Sequence, residues 1–178
     1  VVTSIAQTGD GFIWIGTENG LARSDGYRFR QYAADSGEPG NLPGNSIIQL
    51  HGDRRGRLWL LFNNGMIARH DAQRDQFVPV PALSGNPALR LTTITDAADG
   101  GLLVGTAAGL ARVSEDGLKV VLPQPAAAAD QPSLNDPVGV LRHDQQGRLW
   151  MATRNGLWFK PAQAVRWQPV PLPLLPAQ

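Results

Sequence analysis

A motif that occurs four times along the chain constrains the fold more than any other feature. Its copies read GFIWIGTENGL at 11–21, GRLWLLFNNGM at 56–66, GGLLVGTAAGL at 100–110 and GRLWMATRNGL at 147–157. The leading glycines are spaced by 45, 44 and 47 residues, and a second glycine always follows nine residues after the first. A period of this length, with no insertion inside the motif, predicts an array of similar structural units.

Each unit predicts four short β-strands. The first strands are expected at 3–6, 47–51, 92–95 and 138–142. The second strand, such as 12–17, is apolar on both faces, which is typical of a strand covered by neighbouring layers on each side. Asn-Gly pairs at 19–20, 64–65 and 155–156 predict type I′ hairpin turns, in which both central residues have positive φ. The third strands are expected at 21–24, 66–70, 110–113 and 157–160. The fourth strands are expected around Phe29 with Tyr32, Phe77, Val120 with Leu122, and Trp167.

Four antiparallel strands at this period are typical of the blades of an all-β propeller. Helical repeats are disfavoured because no stretch keeps apolar residues at i, i+3, i+4 and i+7, and the glycines would interrupt each candidate helix. The blades are predicted at 1–44, 45–88, 89–135 and 136–168, joined by loops at 35–45, 79–89 and 123–137. Residues 169–178 are expected to form a Pro-rich tail or a truncated junction to a further blade. The repeat landmarks are Trp14, Gly20, Trp59, Gly65, Gly109, Trp150 and Gly156.

The spacing Asp-x-x-Gly-x-x-Trp at Asp53 and at Asp144, with Asn-Gly-Leu at 155–157, resembles the two-component regulator propeller repeat. Residues 41–47, NLPGNSI, match the usual junction between repeats of that family, and the resemblance extends from residue 1 to about residue 168. The chain departs from the pattern at Thr8 and Ala97 in place of Asp, Leu103 in place of Trp, and Leu61-Phe62 in place of Gly-Thr.

The resemblance implies a ligand-binding sensor module of a bacterial membrane signalling receptor, located in the periplasm. In such receptors the propeller precedes a membrane helix and a histidine kinase, hybrid kinase or diguanylate cyclase. It implies a small-molecule or oligosaccharide ligand, a homodimer formed through the receptor, no cofactor, and no enzymatic activity in this segment. A metal-dependent lyase, a glycan-active hydrolase and a protein-interaction scaffold stay open as alternatives.

Propellers of this family usually contain more than four blades, so the four repeats are expected to be part of a larger propeller. The last residues, LLPAQ at 174–178, resemble NLPGN at 41–45, where a new blade begins. Four blades alone would expose two blade faces. We therefore expect tight four-blade closure, self-association through the exposed faces, or marginal stability.

Composition removes several other classes. The 178 residues contain no cysteine, which excludes disulfide scaffolds, zinc-thiolate sites, iron–sulfur clusters and thiol catalysis. The formal net charge of +1 argues against nucleic-acid binding. No apolar run approaches the roughly 18 residues of a membrane helix, so membrane insertion by this segment is not expected.

Few residues stand out as candidates for binding. Arg54 and Arg55 lie in an arginine-rich turn that is a candidate for binding a carboxylate or phosphate, with a solvated turn as the alternative. Trp158 and Trp167 fall outside the repeat register and are expected to be exposed, and Trp158 is therefore a candidate for stacking on a ligand. The landmark tryptophans are predicted to fill the space between blades. Asp53 and Asp144 are predicted to cap turns.

The histidines, His51, His70 and His143, lack the spacing of a local metal site. His51 and His143 are offset by one residue within the repeat, which predicts that they point to opposite faces of their strands and argues against joint metal ligation. No catalytic or metal-ligating residue is therefore predicted, and few histidines with no convergent pair of acids count against an enzyme.

Overall fold

The computed structural model describes residues 1–34, 41–80, 89–116, 119–121, 136–164 and 166–171. Its strands are β1 (Val2–Gln7), β2 (Ile13–Thr17), β3 (Gly20–Ser24), β4 (Phe29–Tyr32), β5 (Ile47–Gly52), β6 (Leu58–Phe62), β7 (Ile67–Asp71), β8 (Gln76–Pro79), β9 (Leu91–Asp96), β10 (Leu102–Thr106), β11 (Gly109–Val113), β12 (Val120–Val121), β13 (Val138–His143), β14 (Leu149–Thr153), β15 (Gly156–Lys160) and β16 (Gln168–Pro169).

Successive groups of four strands form four separate antiparallel sheets, each in chain order. We call them blades 1 to 4. The predicted all-β propeller architecture is confirmed. Trp167 lies just before β16 rather than inside it. Leu122, most of the predicted inter-blade loops (35–40, 81–88 and 122–135) and residues 172–178 of the predicted tail lie outside the described residues. No helix long and apolar enough to cross a membrane occurs in the described ranges.

The hairpin between the second and third strands differs from the predicted type I′ turn. In blade 1 the positive φ falls on Gly20 alone, at 110°, and Asn19 is not among the residues with positive φ. The Thr17 hydroxyl accepts the Asn19 N–H at 3.0 Å and donates to the Gly20 carbonyl at 2.9 Å. This side chain holds the turn with negative φ at its central residues, so the prediction was wrong about the turn type.

The blades stack face to face, with the first strand of each blade beside the first strand of the next. Three apolar cores lie between blades 1 and 2, 2 and 3, and 3 and 4, and we call these contacts seams. All five residues of β6 are buried, as expected for a strand covered on both faces. The Gln49 side-chain amide also joins blades 2 and 3, since it donates to and accepts from the Ile94 backbone, both at 2.9 Å.

The four blades form an open arc. Ile5 on blade 1 is 64% exposed and Val140 on blade 4 is 48% exposed, so the outer faces of these two blades do not cover each other. Tight four-blade closure, one of the three expectations, is therefore wrong. Among the described residues, each blade buries a face only against its sequence neighbours, and one face of blade 1 and one face of blade 4 are not covered by them.

Candidate functional site

A hydrogen-bonded unit of Asp, Arg and Trp closes the turn between the first and second strands of blade 2. Asp53 Oδ1 accepts the backbone N–H groups of Arg55 at 2.9 Å and Arg57 at 2.8 Å. Asp53 Oδ2 accepts Trp59 Nε1 at 2.9 Å and Arg57 Nε at 2.6 Å. Burial would raise the pKa of Asp53, but the hydrogen bonds from Trp59 and Arg57 hold it below its usual value. The predicted capping role of Asp53 is confirmed.

The same unit recurs in blade 4. Asp144 Oδ2 accepts Trp150 Nε1 at 2.8 Å and Arg148 Nε at 2.6 Å, and the bond from Trp150 is the largest cause of a lowered Asp144 pKa. In blade 1 the Thr8 hydroxyl takes the place of the carboxylate and accepts Trp14 Nε1 at 3.0 Å. These units tie the tryptophans to their own blades, so they are structural.

Blade 3 lacks both partners of this unit. Ala97 occupies the position of the Asp, and Leu103, six residues later, occupies the position of the Trp. The two departures therefore belong together, because a buried indole N–H without an acceptor would be costly.

The landmark tryptophans fill the space between blades, as predicted, wherever a following blade covers them. Trp14 and Trp59 are each 1% exposed, and each lies in the core between its own blade and the next. Trp150 is only partly buried, because it lies on the outer face of blade 4, where it stacks on Phe159 with ring centroids 5.3 Å apart.

Trp158 and Trp167 were expected to be exposed, and this expectation was wrong. Trp167 is 8% exposed, and Trp158 packs with Leu103 against the core between blades 3 and 4. In blade 4, Trp158 lies opposite Met151 on the neighbouring strand. The equivalent pair in blade 3 is Ala111 opposite Val104, so Trp158 occupies a position where blade 3 carries alanine. At this seam the large side chain, that of Trp158, therefore belongs to blade 4. It fills the space that arises because Leu103 of blade 3 is smaller than the tryptophan at the same position of the other blades. This is a volume-conserving exchange, which protein cores tolerate.

The arginine-rich turn borders a groove of about 240 Å³ between blades 2 and 3. We call it the blade 2–3 groove, and it is lined by Asp53, Arg54, Arg55, Arg57 and residues 96–100. Arg57 donates to the Gly100 carbonyl at 2.8 Å, and both Arg55 and Arg57 form ion pairs with Glu115 of blade 3. These two arginines therefore join the blades.

Arg54 is the arginine of this turn with donors open to a ligand. Its side chain is 61% exposed, and its Nε lies 3.8 Å from Asp96 Oδ2, beyond hydrogen-bond distance. Asp96 in turn lies 3.2 Å from His51 Nε2, although the ring nitrogen is not aligned for a hydrogen bond. The mouth of the groove therefore presents the exposed Arg54 guanidinium beside a carboxylate and an imidazole.

His143 approaches the same place from blade 4. Its Nδ1 lies 3.2 Å from the Thr95 hydroxyl, so His51 and His143 contact neighbouring residues at the end of β9. They do project from opposite strand faces, as predicted, but those faces look at the same intervening blade. Because Thr95 and Asp96 are consecutive residues of β9, the two histidines contact opposite faces of blade 3. Burial lowers the pKa of His143, and the charge of Arg54 lowers it further.

This arrangement suits the binding of a polar molecule. It combines guanidinium and imidazole donors with carboxylate acceptors at one end of three adjacent first strands. Within the described ranges, no group of three or more His, Asp or Glu side chains could hold a metal ion.

A second polar cluster, which the sequence did not reveal, clamps blades 1 and 2 together. Asp75, whose φ is 52°, accepts Tyr32 Oη at 3.0 Å and contacts His70 Nε2 at 2.9 Å. Arg23 at 3.3 Å and Arg30 at 2.5 Å form ion pairs with the same carboxylate. Burial and the Asp75 charge raise the pKa of Tyr32 to about 12. The carboxylate has four partners in the protein, which indicates a structural role.

Comparison with known proteins agrees with the repeat. Residues 1–19 match the family described as two component regulator propeller, so the predicted resemblance is confirmed. No curated protein matches the sequence significantly.

Solved structures share the fold over almost the whole chain. Two are extracellular domains of hybrid two component systems from B. thetaiotaomicron, with TM-scores of 0.70 and 0.68, and 20% and 19% identity. Each match covers 95% of this chain but only 24% and 25% of the other chain. Virginiamycin B lyase from Staphylococcus aureus matches with a TM-score of 0.69 at 15% identity, over 97% of this chain and 56% of the lyase. The chain thus spans about a quarter of the two extracellular domains.

Proposed function

We propose that the chain is a ligand-binding sensor module in the extracytoplasmic part of a bacterial membrane signalling receptor. The observation that carries the proposal is the combination of the regulator-propeller match with a fold shared with extracellular domains of hybrid two component systems. The ligand would be a small molecule or an oligosaccharide, and a kinase or cyclase output domain would receive the signal. The periplasm is the corresponding compartment.

The blade 2–3 groove is the proposed binding site. Arg54 would donate charge-assisted hydrogen bonds to oxygen atoms of the ligand, while Asp96 and Asp99 would accept from its hydroxyl groups. The two walls of the groove belong to different blades. A ligand that bridges them would favour one angle between the blades, and this preference is what a population shift requires.

A thermal-shift screen tests this function. The 178-residue chain is screened against oligosaccharides, amino acids and divalent metals. A ligand at about 100 times its Kd stabilises the folded state by about 2.7 kcal/mol. For a chain of this size the Tm would then rise by about 5–10 °C.

The Arg54→Ala variant locates the binding site, and Arg154→Ala, an exposed arginine on another turn, is the matched control. We expect the first variant to lose most of the shift and the second to keep it. A shift that both variants keep would place the ligand outside the groove, and no shift across the panel would contradict the sensor proposal. Chemical conversion of the ligand by the chain would favour the lyase alternative.

A further inference from the structure

Beside the blade 2–3 groove, four polar side chains meet where three first strands end. β5 carries His51, β9 carries Asp96 and β13 carries His143, and Arg54 follows β5 by two residues. We call these four residues the inner cluster. β9 is the edge strand of blade 3, so its free edge lies between blade 2 and blade 4 with no further strand of its sheet beyond it. A ligand in the groove can therefore reach past this edge from Arg54 toward His143.

Arg54 and His143 each offer donors that no described residue occupies. The side chain of Arg54 is 61% exposed, and Asp96, its charged neighbour in the described ranges, lies 3.8 Å from Nε, beyond hydrogen-bond distance. His143 contacts the Thr95 hydroxyl through Nδ1 at 3.2 Å, which leaves Nε2 without a partner among these residues. Charged N–H groups are the strongest hydrogen-bond donors to anionic oxygen atoms. The inner cluster therefore has the donors that an anion requires.

The net charge of the inner cluster depends on pH. While both imidazoles are neutral, the positive charge of Arg54 and the negative charge of Asp96 balance each other. His51 contacts the same carboxylate at 3.2 Å, so Asp96 lies between two groups that can oppose its charge. Each imidazole that gains a proton adds one positive charge. An anion therefore meets a neutral cluster at high pH and a positively charged cluster at low pH.

The charged groups that act on His143 come from three blades. Burial is the main cause of its lowered pKa, and the charges of Arg54 and His51 lower it further. Asp96 of blade 3 and Asp144 of the adjoining turn act in the opposite direction, and Asp144 is already held by the hydrogen bonds described above. A bound anion would add a negative charge beside the imidazole and would raise the pKa of His143. The imidazole of His143 would then gain a proton at a pH where it is otherwise neutral.

We infer that the ligand carries an anionic group, a carboxylate, phosphate or sulfate, that binds between Arg54 and His143, and that His143 takes up a proton from the solvent as this group binds. The inference rests on the proposed binding site and adds to it a ligand class and a regulation by pH. Because linkage is reciprocal, the factor by which the proton strengthens anion binding equals the factor by which the anion strengthens proton binding. The module would therefore respond to its ligand more strongly in acidic surroundings.

Sulfate is the simplest probe, because its charge is constant between pH 5.5 and pH 7.5. NMR titration of the 178-residue chain gives its Kd at both pH values, with chloride at equal ionic strength as the reference. We expect sulfate to bind about five- to tenfold more tightly at pH 5.5. Equal Kd values would overturn the coupling to a proton, and absence of sulfate binding would overturn the anionic ligand class. The sensor proposal would survive either result if the thermal-shift screen finds a neutral ligand that needs Arg54.

The histidine signals show which group takes up the proton. The chain contains three histidines, so their ring-proton resonances can be followed by NMR across the pH range and assigned with His→Gln variants. Saturating sulfate should raise the pKa of His143 by about one pH unit, the counterpart of a tenfold change in affinity. His70, in the Asp75 cluster between blades 1 and 2, is the internal control and should keep its pKa. No rise at His143 would overturn the inference.

Two variants separate the contact with the anion from the uptake of the proton. Arg54→Ala should weaken sulfate binding about tenfold or more at both pH values, whereas the exposed control Arg154→Ala should bind like the wild type. His143→Gln keeps a polar side chain that cannot gain a proton, so its Kd for sulfate should be the same at both pH values. If His143→Gln kept the pH dependence of the wild type, another group would be taking up the proton and the inference would be wrong.

Tartrate identifies the kind of anionic group, because it is a hydroxylated dicarboxylate with the same charge as sulfate in this pH range. Tighter binding of tartrate than of sulfate would indicate a carboxylate ligand, and the reverse order would indicate a phosphate or sulfate group. Either order supports the inference, provided that Arg54→Ala weakens the binding. If Arg54→Ala bound both probes as tightly as the wild type, the anion would lie elsewhere and the inference would be overturned.

Discussion

The exchange of a large side chain across the seam between blades 3 and 4 leads to a quantitative prediction. Leu103 stands where the other blades carry Trp, and Trp158 stands where blades 1 to 3 carry Ala. Trp158→Ala leaves a cavity beside Met151 and should cost about 3 kcal/mol of unfolding free energy, the lower end for a partly exposed tryptophan. Leu103→Trp alone overfills the seam and should cost about 2 kcal/mol.

The double variant should be far more stable than the sum of the two costs. Leu103→Trp with Trp158→Ala recreates the Trp-on-Ala packing of the other two seams. It should lose only about 2 kcal/mol, chiefly through imperfect repacking, because the unpartnered indole N–H of Trp158 is exchanged for an unpartnered indole N–H at position 103. The favourable coupling is therefore about 3 kcal/mol, at the upper end of measured pairwise couplings. Adding Ala97→Asp should recover part of the remaining loss.

Urea unfolding at one protein concentration, followed by far-UV circular dichroism, measures these differences. Fixed concentration matters because self-association would shift the apparent stability. If the double variant loses the full 5 kcal/mol or so expected from additivity, the two residues do not exchange volume across the seam. Trp158 would then not be the residue that fills the space beside Leu103.

Three further predictions concern single positions. Gly52→Ala should lower the unfolding free energy by about 1–3 kcal/mol, because the new Cβ would lie 2.3 Å from a carbonyl oxygen of the neighbouring inner strand. Gly139→Ala is the control: its Cβ would lie 3.8 Å from the nearest atom, so urea unfolding should show a change within about 0.5 kcal/mol. Asp53→Asn should lower the unfolding free energy by about 2 kcal/mol and Asp144→Asn by less, since the Asp144 side chain is 24% exposed against 3% for Asp53 and its tryptophan is only partly buried; equal losses would contradict this ranking. The pKa of His143 is lower in the folded than in the unfolded chain, so its contribution to stability is present above about pH 6.5 and is lost as pH falls. Across a Tm series from pH 7.5 to pH 5, His143→Gln should therefore show a smaller decrease than the wild type, and an identical decrease would count against this assignment.

The blade architecture was predictable because the repeat reports it directly. Glycine spacing and apolar second strands depend on local backbone geometry and on burial by neighbours, and both leave a periodic trace. The turn type was not predictable in the same way. The Asn19-Gly20 pair favours a type I′ turn, but the Thr17 hydroxyl binds the turn backbone and stabilises another conformation.

The side chains at the seams were predictable only in part. Trp14 and Trp59 follow the repeat, so their burial could be anticipated. The burial of Trp158 could not be predicted, because it depends on a residue 55 positions earlier. That residue, Leu103, is smaller than the tryptophan of the other blades and leaves space for the Trp158 side chain. A comparison of the four repeats would have shown the signal only with one extra residue allowed in blade 2, where Ala68 lies three residues after Gly65 rather than two.

The candidate site depended on how the blades are stacked. Sequence reasoning singled out Arg54 and Arg55 together, yet the structure engages Arg55 with Glu115 of the next blade and leaves Arg54 open. It also predicted that His51 and His143 point to opposite strand faces, as they do, but it could not show that they contact consecutive residues of blade 3, Asp96 and Thr95. The Asp75 clamp has no counterpart in the repeat, so no pattern could reveal it.

Hydrogen–deuterium exchange of the 178-residue chain, with and without a ligand found by thermal shift, tests the central functional claim most directly. If the blade 2–3 groove is the binding site, exchange should be slower in the presence of ligand in peptides that cover residues 51–57 and 95–101, because these segments contain the residues that line the groove. The Arg54→Ala variant should lose this protection. Protection confined to other blades, or binding with no change at these two segments, would contradict the proposed site.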